Sequence, residues 1–202
     1  MKILLTAFDP FGAESVNPAS LAVAQVTAPQ GIELIKLEVP TVFGESIRIA
    51  AESIEVHRPH VVLCIGQAGG RSAVTPERVA INLMDAAMAD NRGLIPVDQP
   101  VIPGGENALF STVPVKAMVS AIRAAGVPAQ LSNTAGTFVC NQLLYGVLHL
   151  CKEKYPDTRA GFIHVPFLPQ QVENRPGVPS LPLSQMVAAL QAVLSLFAEE
   201  IR

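Results

Sequence analysis

Apolar positions fall into two alternating kinds of segment along the chain. Ile3–Phe8, Ile32–Val39 and Ala160–Val165 have the length and composition of strands, and Val61–Gly66 is a continuous apolar run of the kind found in central parallel strands. Between them the apolar residues recur at helical spacing. Asn17 caps a helix with Pro18 at its first position, and Gly44–His57 is a helix rich in Ile and Ala that Pro59 breaks. Thr112 and Pro114 start another, ending near Gly126. Leu143, Leu144, Val147, Leu148 and Cys151 mark a helix that runs to Lys154 and stops at Pro156. The last helix, Leu183–Ile201, places Leu183, Met186, Val187, Leu190, Val193, Leu194, Phe197 and Ile201 on one face. Val127–Leu131 reads as a short strand, and Arg78–Met84 alternates enough to be another.

Residues 85–112 hold three prolines and three glycines in irregular order and read as loop with room for a hairpin. A segment of that length without a helix is usually functional or covers an interface. A second loop, with Pro166, Pro169, Pro176, Pro179 and Pro182, precedes the last helix. Alternation of strand and helix, with no internal repeat and no linker, predicts a single three-layer α/β/α domain over residues 1–202 with a mostly parallel twisted sheet.

Composition narrows the function classes. Of 202 residues half are apolar and only 15% charged, which excludes disorder, and a net charge of −3 gives no reason to expect nucleic acid. No apolar run reaches the ~20 residues of a membrane span, and Met1–Phe8 runs straight into Asp9-Pro10, so it reads as a buried strand rather than a leader. Three cysteines, an odd number in a chain with no secretion signal, point to a reducing cytosol.

One stretch concentrates the candidate chemistry: Ser132-Asn133-Thr134-Ala135-Gly136-Thr137-Phe138-Val139-Cys140-Asn141, a small-residue turn between a strand and a helix. It offers several N-cap candidates and places Cys140 in the first helical turn. There, unpaired backbone N–H groups and the helix dipole favour a thiolate and could hold an oxyanion. Cysteine is also among the most buried residue types, so on this stretch alone an inert packed thiol is the default.

Ligands of open α/β sheets bind beyond the carboxyl ends of the strands. The polar residues there are Asp9 and Asn17 after the first strand, Gln67, Gly69, Gly70 and Arg71 after the apolar strand, Glu77, and His164 near the end of its own strand. His57 and His60 flank a connection, and His149 lies nine residues, ~13 Å, beyond Cys140 on one helix, too far to share a proton. Gly66–Arg71 fits neither phosphate-loop pattern and reads as a backbone turn approaching a small ligand, and no cysteine–histidine spacing suits zinc, so no metal is expected.

Five blocks then resemble one family. Thr6–Gly12 with Asn17-Pro18, Gly66–Arg71, Pro76–Asn82, Thr134–Asn141 and Phe162–Pro166 together look like pyroglutamyl peptidase type I, the pyrrolidone-carboxylate peptidases, in order and spacing. The resemblance implies a thiol peptidase with Cys140 as nucleophile, His164 as general base and acid, and Glu77 orienting the histidine. It implies a cytosolic homotetramer, without cofactor, that removes N-terminal pyroglutamate from peptides. Phe8, Phe11, Asn17, Gln67, Phe138 and Val139 would line or support the lactam pocket. One departure stands out. The family usually carries an arginine near the active site and a proline in the segment that here reads Asp85-Ala86-Ala87-Met88-Ala89-Asp90-Asn91, where Ala87 takes the arginine's place. Lesser changes are Ala7, Ala13 and Ala19. Two alternatives stay open at this point: a nucleoside-phosphorylase-like enzyme using Gly66–Arg71 for phosphate, and a pyroglutamate-binding protein whose turnover Ala87 has impaired.

Overall fold

A computed structural model describes residues 1–200; Ile201, expected at the end of the last apolar face, lies outside them. The elements follow the chain as β1 (Lys2–Phe8), α1 (Pro18–Gln25), β2 (Glu33–Val39), α2 (Glu45–His57), β3 (Val61–Gln67), β4 (Thr75–Glu77), β5 (Val79–Ile81), β6 (Ala108–Phe110), α3 (Val115–Ala124), α4 (Val139–Lys154), β7 (Arg159–Val165) and α5 (Leu183–Glu199). Five strands form the central sheet in the order β2-β1-β3-β7-β4, parallel except for β4, which runs antiparallel to β7.

Alternation along the strands builds two cores. Ile3, Leu5, Val61, Leu63, Ile65, Ile163 and Val165 face α1, α3 and α5. Leu4, Phe8, Val62, Cys64, Ala160 and Phe162 face α2 and α4. β3 is buried along its whole length, as the continuous apolar run predicts. On α5, Met186, Ala189, Leu190, Val193, Leu194 and Phe197 are buried at spacings of three and four, each large side chain among them contributing roughly 1.5–3 kcal/mol. The result is the three-layer α/β/α domain expected from the sequence.

Two segments differ from expectation. Arg78–Met84 is not a strand of the main sheet; Val79–Ile81 pairs with Ala108–Phe110 in a separate antiparallel ribbon packed on α4. The main sheet instead ends on Thr75–Glu77. This short strand includes Pro76, which has no N–H to give to a ladder but whose carbonyl accepts from Ser132 N. Val127–Leu131 is not a regular strand either. It touches the sheet through isolated parallel bridges at Val74–Ala129 and Glu77–Ser132 and covers the outer edge of β4.

Candidate active site

The carboxyl ends of β1, β3 and β7 converge on the first turn of α4. Gly136, at φ +79°, makes the turn before it, a backbone conformation that any other L-residue adopts only with strain. The expected hydroxyl cap is absent. Ser132 Oγ donates to the Thr134 carbonyl, Thr134 Oγ1 accepts from Gly136 N, and Thr137 Oγ1 donates to the Asp85 carbonyl at 2.6 Å. The N-cap is therefore Phe138, in extended conformation, and no side chain satisfies the first N–H groups of α4. That leaves donors of the helix start available next to Cys140, the second residue of the helix.

Gly66 explains how the thiol reaches the sheet. A Cβ at that position would stand 3.2 Å from Cys140 Sγ and 2.7 Å from the Phe162 ring. Gly66 pairs directly with His164 across β3 and β7, so the two residues present the same face. Cys140 and His164 are thus brought to the same pair of strand ends. Glu77 pairs with Phe162 and so lies diagonally across from His164, within reach of its ring. His164 Nδ1 meets Glu77 Oε1 at 2.7 Å, with the histidine 3% and the glutamate 0% exposed. An ionised carboxylate accepts only, so Nδ1 carries the hydrogen and Nε2 is left with a free lone pair.

Arg71 completes the cluster. Its Nη1 donates to Glu77 Oε1 at 2.6 Å and also to the Thr75 hydroxyl, and its Nη2 donates to the Thr134 carbonyl at 3.0 Å. Arg92, by contrast, lies largely exposed at 3.9 Å from Glu45. Burial pushes Glu77 upward, but the bond and charge of His164, a bond from the Ser132 hydroxyl and the charge of Arg71 more than offset it and hold the carboxyl below its ordinary value. Burial lowers His164 despite the opposing pull of Glu77. Burial also pushes the Cys140 thiol up to about 12, and the charge of Glu77 adds to the rise. Burial therefore favours the neutral thiol and the neutral imidazole, against the thiolate that the helix start alone favours.

The pyroglutamyl peptidase sequence model matches residues 1–200. The pyrrolidone-carboxylate peptidase of Levilactobacillus brevis is 53% identical over 195 residues, 96% of each chain, and that of Clostridium perfringens is 53% identical over 192 residues, 95% of this chain and 90% of the other. The chain belongs to the pyroglutamyl peptidase family. Its fold agrees. The crystal structure of Bacillus amyloliquefaciens pyroglutamyl peptidase I superposes with a TM-score of 0.92 at 42% identity, covering 96% of this chain and 94% of that one. A mutant pyrrolidone carboxyl peptidase from Pyrococcus furiosus gives 0.95 at 33% identity over all of both chains. The phosphorylase alternative is not favoured, and Arg71, engaged with Glu77, is not free for a phosphate.

Within this pyroglutamyl peptidase family member the other sequence-predicted residues are placed unevenly. Phe11 and Phe138 are half-buried with ring centroids 6.1 Å apart, and Phe43, which sequence reasoning missed, meets Phe138 edge-on at 5.3 Å. Phe8 and Val139 are fully buried beneath them. Asn17 is spent on structure: its Oδ1 caps α1 at Ala19 N and its Nδ2 donates to the Asp9 carbonyl. Gln67 accepts from Gln171 Nε2 at 2.9 Å, and the same nitrogen donates to Glu14. Asp9, one of the polar residues after β1, is engaged as an acceptor for Thr41 N and Asn91 Nδ2, and Asn141, next to Cys140 in sequence, is fully buried. Among the described residues no group of three His, Cys, Asp or Glu side chains gathers to hold a metal ion.

Proposed function

We propose that the chain hydrolyses the bond joining an N-terminal pyroglutamyl residue to a peptide, with Cys140 as nucleophile. The observation that carries this reading is the buried Glu77–His164 pair beside Cys140 at the uncapped start of α4. Cys140 Sγ gives its proton to His164 Nε2 as the sulfur attacks the pyroglutamyl carbonyl carbon, and the carbonyl electron pair moves onto oxygen. Backbone N–H groups of the first turn of α4 hold that oxyanion. Glu77 fixes the ring and stabilises the imidazolium. Collapse breaks the C–N bond, and the imidazolium protonates the leaving amine. Water, deprotonated by Nε2, then attacks the thioester, releasing pyroglutamate and restoring the thiol.

The half-buried Phe11 and Phe138 rings suit a flat, uncharged lactam, with Phe8 and Val139 supporting them from the core. Asn17 and Gln67 hold the surrounding loops. An uncyclised N-terminal residue would bring an ammonium group into these apolar walls without a partner, so selectivity arises by rejection. The exposed run of Leu94, Ile95 and Val97 supports assembly into a homotetramer, and three free thiols support a cytoplasmic setting. No cofactor, membrane or nucleic acid enters the reading. The test is hydrolysis of a pyroglutamyl amide reporter against a prolyl one: rapid release from the first alone is expected, and binding of pyroglutamate without release would overturn the catalytic reading.

A further inference from the structure

Glu77 is a carboxylate with no exposure, and its Oε2 has no hydrogen-bond partner. His164 Nδ1 at 2.7 Å and Arg71 Nη1 at 2.6 Å meet on its Oε1, and the Ser132 hydroxyl adds to the hold on its charge. With His164 neutral, Arg71 is the only formal positive charge paired with Glu77 among the described residues. A buried carboxylate facing nothing but a neutral imidazole has two cheaper states. It can take up a proton itself, or it can keep one on the imidazole as a locked ion pair. The first removes the support for the imidazolium; the second removes the base that Cys140 requires. Arg71 also bonds the Thr75 hydroxyl on β4 and the Thr134 carbonyl in the turn leading to Cys140, so the guanidinium is braced from both sides.

We propose that Arg71 is a positioning residue of this site. Its guanidinium serves as the permanent counter-charge of Glu77, keeping the carboxylate ionised while His164 stays neutral and able to accept the thiol proton. The proposal rests on the peptidase reading above. When the proton moves from Sγ to Nε2, charges alternate as thiolate, imidazolium, carboxylate and guanidinium, and the cluster stays neutral overall. Because Glu77 Oε1 is shared, its hold on the imidazolium is moderated, so the proton can still pass to the leaving amine. The titratable or charged groups around His164 are Glu77 from β4, Arg71 from the loop after β3 and Cys140 from α4, with Cys64 further back on β3.

Two variants separate charge from bracing: Arg71→Gln keeps a hydrogen-bonding side chain without charge, and Arg71→Lys keeps the charge without the fork. Each is read by the pH dependence of kcat/KM on a pyroglutamyl reporter and by the pH dependence of Cys140 alkylation by iodoacetamide without substrate. In Arg71→Gln, Glu77 binds the imidazolium unopposed, so the acid limb of both profiles should move up by about one pH unit. Its kcat/KM should fall ~10–100-fold, the size of loss seen for partners that orient a ligand or base. Arg71→Lys should keep the limb near its wild-type position. An unmoved limb in Arg71→Gln overturns the proposal. If that variant does not fold, Arg71→Lys decides: an unmoved limb supports the counter-charge role, and a limb displaced by a full unit despite the retained charge overturns it. A wild type that leaves the reporter uncut sinks the peptidase reading alone, since alkylation still reports on Arg71.

Discussion

Cys64, Cys140 and Cys151 are all held as protonated thiols by burial, each pushed up to about 12. Only Cys140 shares its strand ends with His164. Cys140→Ala should therefore abolish turnover, while Cys64→Ala and Cys151→Ala should cost about 1 kcal/mol of stability and leave kcat intact. Mass-spectrometric alkylation at neutral pH should label Cys140 first, and full activity in Cys140→Ala would rule out a thioester route. Ala87 gives a second residue-level outcome. It is exposed, next to the segment that Asp85 N–H and Thr137 Oγ1 tie to the turn before Cys140; Arg71 is engaged with Glu77, and Arg92 lies out beside Glu45. One oxyanion donor is worth ~10²–10³ in rate, so Ala87→Arg should raise kcat more than it changes KM. A higher melting temperature with unchanged kcat would show that an arginine there only braces the loop. At this scale the places were legible, His164 and Glu77 beyond strand ends and Cys140 in the first turn of a helix, but it was the family resemblance and not their spacing that joined them. The pairing of Arg71 with Glu77 was not, because nothing in a sequence says where a long guanidinium stem bends.

At the scale of elements, long periodic segments were legible and short ones were not. α2, α4 and β3 announce themselves by period and length. β4 has three residues, one of them Pro76, and its place in the sheet is fixed by β7, more than eighty residues away. The cap of α4 was misread for a related reason: the hydroxyls of Ser132, Thr134 and Thr137 had closer local partners than the helix. What holds α4 in register is Asn141. From a fully buried side chain, its Oδ1 accepts from Ile81 N and its Nδ2 donates to the Ile81 and Leu83 carbonyls, which are partly buried. Asn141→Leu removes three bonds and orphans three backbone groups, an expected loss of about 2–4 kcal/mol. Chemical denaturation should show that loss, and hydrogen exchange should show Ile81 and the start of α4 opening together; an unchanged midpoint would mean that the β5–β6 ribbon is not what anchors the helix.

For the whole molecule the ionisable groups set a window of pH. His164 and Glu77 sit below their ordinary values of 6.5 and 4.5, so the unfolded chain binds more protons than the folded one as pH falls. Their stabilisation is present above those values and is lost first below 6.5, then below 4.5. Cys64, Cys140 and Cys151 sit above 9.0, so the folded chain binds more protons there, and their stabilisation is lost as pH rises from 9.0 through about 12. Melting temperature should therefore plateau between about 6.5 and 9 and fall on both sides. A Cys64→Ala/Cys151→Ala double variant should flatten the alkaline fall; an identical fall would assign it to other groups.

The strand order β2-β1-β3-β7-β4 has a consequence for how the protein comes into being. β7 lies inside the sheet, between β3 and β4, but follows all the other strands in sequence, and it carries His164. As the ribosome releases the nascent chain, β3 emerges with an apolar flank that nothing can cover until β7 follows about 100 residues later, roughly 5–20 s at bacterial to slow synthesis rates. During that interval the thiol of Cys140, once made, has no imidazole beside it. The Glu77–His164 pair is thus formed only when β7 joins the sheet, long after the strands that flank it have been made.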